Sequence, residues 1–63
     1  MRTQKAVAVA RNPSAYTEEY RGQAWSELRR KALNVPEWRA KDLKQLATGI
    51  VEYEQCTQGT AGQ

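Results

Sequence analysis

The sequence predicts an all-α fold: a two-helix hairpin over about 13–33 and 35–56, flanked by a flexible N-terminal arm and a C-terminal tail, and self-associating. Three observations predict it. Apolar residues recur at helical spacing from Tyr16 to Leu33 and again from Trp38 to Tyr53. Asn34-Val35-Pro36-Glu37 separates the two runs, and Pro36 would break one continuous helix. Glu18 and Glu19 open the first run and Arg29-Arg30-Lys31 close it, matching the charge preference of helix ends.

Residues 1–11 contain Arg2, Lys5 and Arg11 without an acid, and carry +3 of the chain's net +3. They read as a basic flexible arm. Val7 and Val9 alternate weakly enough that a short strand is an alternative, and the alanines allow a helical extension. The hairpin occupies 12–56. Its first helix has two starts: Asn12-Pro13, with proline at the first helical position, and Thr17, followed by two acids. Both fit together if an irregular turn lies between them.

Tyr16, Tyr20, Ala24, Leu28 and Ala32 then fall four residues apart, widened by Trp25 and Leu33. Gly22 interrupts this helix at a cost of about 1 kcal/mol, either as an imperfection or to admit a partner ring. Asn34 is expected to end the first helix in the left-handed conformation. The spacing Asn34-x-x-Glu37 predicts a capping box for the second. There, Leu43, Leu46, Ile50 and Tyr53 form a seam of coiled-coil spacing. Residues 57–63 contain Gly59 and Gly62 and read as a disordered tail.

Size limits what this chain does. A hairpin within 63 residues buries barely enough apolar surface to offset chain ordering. Cys56 is the only cysteine and histidine is absent, so neither an intrachain disulfide nor a structural zinc site reinforces it. Self-association is the remaining supplement, and a homo-oligomer is expected. Ala6–Ala10 is too short an apolar run for a signal-peptide core, and no stretch has membrane-spanning length. A lone thiol then indicates a cytoplasmic protein.

No active site is visible. Proton transfer near neutrality relies mostly on histidine. Cys56 lies near Glu52 and Glu54, which disfavour a thiolate. Glu18 and Glu19 point in different directions on a helix. No phosphate loop or metal-ligand spacing occurs, so an enzyme is not expected and no cofactor is implied. Binding is what remains. The protein-interaction set is Trp25, Leu28, Trp38, Leu43, Leu46, Ile50 and Tyr53, with an exposed tryptophan as anchor. The alternative is a small DNA-binding regulator using Arg2, Lys5, Arg11, Arg39, Lys41 and Lys44. It would take a helix-turn-helix-like form, or a ribbon-helix-helix form if residues 1–11 were a strand. The outward face of such a strand, Gln4-Ala6-Ala8 or Thr3-Lys5-Val7, reads bases poorly.

In size and style, with the stretch Glu19-Tyr20-Arg21-Gly22-Gln23-Ala24-Trp25 and the turn Asn34-Val35-Pro36-Glu37-Trp38-Arg39, the chain resembles the small accessory early-region proteins of lambda-like bacteriophages. The resemblance is general and carries no functional residue with it. It implies a non-enzymatic protein of the host cytoplasm that binds a host or phage protein and affects the lysis–lysogeny choice or another host process.

Overall fold

In a computed structural model, residues 1–61 are described, with side chains through residue 56. The chain forms α1 (Thr3–Arg11), a short 3-10 turn (Pro13–Ala15), α2 (Glu18–Ala32) and α3 (Glu37–Ala61). The all-α class holds, with three α-helices among the described residues in place of the expected two. α1 packs against both α2 and α3.

The N-terminal segment is thus an ordered helix and not a flexible arm. Its pattern explains why. Ala6, Val9 and Ala10 are spaced i, i+3, i+4 and all three are buried, Ala6 and Val9 completely. Attention to the Val7/Val9 alternation hides this stripe, and alanine, a diluent in a strand, is the strongest helix former. Because residues 1–11 are helical, they offer no strand for a ribbon-helix-helix pairing.

Two polar contacts fix α1 in place. The Thr3 hydroxyl donates to Glu27 Oε2 at 2.9 Å. The Lys5 ammonium lies 4.8 Å from the Tyr16 ring centroid and 5.9 Å from that of Tyr20, a cation–π arrangement shared by two rings.

Both expected starts of the hairpin's first helix are used. Pro13 opens the 3-10 turn, and the Thr17 hydroxyl accepts a 3.5 Å hydrogen bond from the Tyr20 N–H to cap α2. The connection between α2 and α3 differs from expectation. No described residue has positive φ. The Asn34 amide instead donates to the Arg30 carbonyl at 3.0 Å, satisfying one of the last carbonyls of α2. Pro36 sits just before α3, and its carbonyl accepts from the Arg39 and Ala40 N–H groups. A proline in that place loses no helical donor. No hydrogen bond joins Asn34 and Glu37, so the capping box does not form.

α3 buries Ala40, Leu43, Ala47 and Ile50, while Leu46 and Tyr53 are half-buried. The helix continues through Ala61, so residues 57–61 are helical and not a disordered tail. Residues 62–63 lie outside the described residues.

The core is built of small side chains. Among the residues whose side chains are described, six of the ten buried apolar ones are alanines, joined by Val9, Leu28, Leu43 and Ile50. Alanine-lined faces let helix backbones approach closely, and interhelical spacing is set by the side chains at the contact.

Gly22 is not part of that close approach. A Cβ built there meets no neighbouring atom within 4 Å, so no intrachain ring or backbone requires glycine. Gly22→Ala is therefore expected to stabilise the fold by roughly 0.5–1 kcal/mol, through helix propensity alone. Thermal unfolding followed by circular dichroism checks this, and an unchanged or lower midpoint would contradict it.

Candidate functional site

Beside a core of alanines with Val9, Leu28, Leu43 and Ile50, several large apolar side chains stay outside. Leu33 is 82% exposed, Trp38 67% and Trp25 37%. Trp25, Arg29 and Leu33 recur every four residues, so they follow one edge of α2. The Arg29 guanidinium lies over the Trp25 ring, 5.3 Å from its centroid. On α3, Arg39 covers Trp38 in the same way at 5.4 Å. Trp38 stands out from the first turn of α3 with most of its surface in water.

The other residues of the expected interaction set divide differently. Leu28 and Ile50 are completely buried and Leu43 nearly so, so these three are core of a single protomer and not a free pairing seam. That correction follows from α1: the third helix covers surface a lone hairpin would have left open. Leu46 and Tyr53 remain half-buried.

Five of the six basic residues of the nucleic-acid alternative fall on two helices, and Arg2 lies just before the first of them. Arg2, exposed, precedes α1, Lys5 covers two tyrosines, and Arg11 ends α1. Arg11 borders a shallow cleft of about 320 Å³ with Asp42, Gln45 and Leu46. Arg39 lies on Trp38, while Lys41 and Lys44 are exposed. Glu37 and Asp42 interrupt the basic run on α3, which weakens it as a phosphate track.

Two charged residues with central positions were not legible as such in the sequence. Arg21 is only 15% exposed at its side chain. Its Nη1 donates to the carbonyls of Pro13, at 3.2 Å, and Tyr16. Its Nε lies 3.8 Å from Glu54 Oε2, and its guanidinium is 5.0 Å from the Tyr53 ring centroid. One side chain thereby ties the 3-10 turn and α3 to α2. The available signal was positional: Arg21 precedes Ala24 by three residues and Leu28 by seven, on the buried face.

Glu27 is buried beside α1. It accepts from Arg30 Nη2 at 2.6 Å and from the Thr3 hydroxyl at 2.9 Å. These two hydrogen bonds, Arg30's the stronger, hold its carboxyl below the ordinary glutamate range. A carboxyl with a depressed folded-state pKa stabilises the fold fully above its unfolded value. That contribution disappears as pH falls through the folded value. The melting temperature should therefore hold above about pH 5 and drop as pH falls through the unfolded glutamate value of about 4.3 and on through the lower folded value, and Glu27→Gln should flatten that drop. Equal slopes in the two proteins would contradict the assignment.

A larger open groove of about 530 Å³ runs beside Met1 along Glu18, Gly22, Ser26 and Arg30 of α2. Met1 and Gly22 apart, the residues that line it are polar or charged. Among the described residues, no group of three His, Cys, Asp or Glu side chains is placed to hold a metal ion. No described helix is long and apolar enough to cross a membrane. Compared with protein families, curated proteins and solved structures, the chain matches none.

Proposed function

We propose that this protein is a small non-enzymatic interaction module that docks a protein partner along the Trp25–Arg29–Leu33 edge of α2. The observation carrying this reading is Leu33. A leucine at 82% exposure, one turn beyond a stacked Arg–Trp pair, sits outside a core otherwise filled with alanine. Tryptophan and arginine concentrate binding energy at interfaces, and here the chain spends neither tryptophan on its own interior. Under the resemblance to lambdoid accessory proteins, the partner belongs to the bacterial host or the phage, and binding alters phage development or a host process.

Affinity capture from bacterial lysate, with and without nuclease, tests it. Leu33→Asp should leave the melting temperature nearly unchanged, because surface substitutions usually stay within about 0.5 kcal/mol, yet release the captured protein. Retention that vanishes with nuclease would favour the DNA-binding regulator instead. Retention that survives Leu33→Asp and Trp25→Ala would place the docking surface elsewhere.

A further inference from the structure

A second face remains, on α3. Trp38, Asp42, Gln45, Gly49 and Glu52 follow alternating steps of four and three residues, the spacing of a coiled-coil seam. They point away from the buried stripe of Ala40, Leu43, Ala47 and Ile50. All are exposed except Gly49, which is half-buried. Gly49 lies inside a helix of 25 residues, where glycine is unfavourable. No atom lies within 4 Å of the Cβ position there. The protomer's own packing does not require this glycine.

Trp38 and Gly49 are related in space. Eleven residues of helix return to nearly the same face, about 20° apart and roughly 16 Å along the axis. One position is a large unpacked ring and the other an open gap. In an antiparallel pair of α3 helices, each ring meets the other helix's gap, and the two contacts are equivalent by a two-fold axis.

We infer that α3 forms an antiparallel dimer with a second copy of this chain, in which Trp38 enters a hole formed by the partner's Gln45, the partner's Thr48, the partner's Gly49 and the partner's Glu52. Charge complementarity supports that occupant. At the tryptophan end the exposed Arg39, Lys41 and Lys44 outnumber Glu37 and Asp42, and at the other end Glu52 is exposed while Glu54 is taken by Arg21 of its own α2. An antiparallel alignment lays the basic end on the acidic end; a parallel one would bring like charges together. Arg39, already stacked on the Trp38 ring, is carried with it towards the partner's Glu52. Asp42 faces the partner's Gln45 near the axis, with Arg11 of its own α1 alongside. The seam lies outside the α2 edge assigned to partner docking and does not depend on that assignment.

A contact of this length lies at the small end of specific interfaces, so sedimentation equilibrium across the micromolar range is the suitable measurement. The wild-type chain should show a concentration-dependent monomer–dimer equilibrium. Trp38→Ala should weaken it about thirtyfold or more, the effect of truncating an interface anchor. Gly49→Gln, which fills the hole while improving helix propensity, should abolish association without lowering the melting temperature, and Gly22→Ala should leave association unchanged. In a Cys56→Ser background, Asp42→Cys mixed with Gln45→Cys should form a mixed disulfide, while Glu52→Cys should not link to itself. A monomer at every concentration would overturn the proposal. So would a dimer that tolerates Gly49→Gln, or one in which Glu52→Cys self-links, since that reports a parallel pair.

Discussion

Replacing Leu28 by alanine should cost roughly 2–5 kcal/mol, the range for truncating a fully buried leucine. Leu28 is the largest completely buried side chain of α2 and packs in the cluster that unites all three helices. Six of the other nine members of that cluster are alanines, which have no side-chain length with which to fill the space. The cost should therefore fall in the upper half of the range, because partial collapse is what moderates such losses. A domain of this size has only a few kcal/mol in hand. Leu28→Ala should thus be largely unfolded at 25 °C, seen as lost helical ellipticity. Leu46→Ala removes a half-buried side chain and should be distinctly milder. If the two variants melted alike, the core would have to be centred elsewhere.

Arg21→Ala should cost about 1.5–3 kcal/mol, the range for losing hydrogen bonds made by a charged group. Two backbone carbonyls of the 3-10 region would lose their donor, Glu54 would lose its nearest cation, and the Tyr53 ring its guanidinium. For a domain of 60–100 residues that corresponds to a fall of roughly 6 °C or more in melting temperature. Arg21→Lys should recover only part of the loss. A single ammonium cannot reach both carbonyls and cover the ring from one position, as the planar guanidinium does. Full recovery by lysine would mean that charge alone matters and the hydrogen-bond geometry does not.

Legibility from sequence followed the strength of local signals. The helical character of α2 and α3 and the break between them were readable because Pro36, Thr17 and the charged ends all act within a few residues. The third helix was not, because its stripe of Ala6, Val9 and Ala10 contains a single larger apolar side chain. Apolar periodicity weighs large residues most, and this core is filled by small ones. The same bias misplaced Leu28, Leu43 and Ile50 in an intermolecular seam, since their apparent surplus assumed a hairpin without α1. The tryptophans were named as candidate anchors by residue type, and their exposure and their stacking by Arg29 and Arg39 became visible only with the helices in place. Arg21 and Glu27 act through residues distant in sequence, where pattern reading has no reach.

The alanine-filled interior also shapes how this protein responds to temperature. Heat capacity change on unfolding grows with the apolar area newly exposed to water and shrinks with the polar area. Six methyl groups in place of branched or aromatic side chains keep the apolar contribution small. The free-energy curve of such a molecule is flat, with its maximum low and both limbs shallow. Stability then changes slowly between cool and warm conditions, and the thermal transition, driven by a modest enthalpy, spreads over a wide interval.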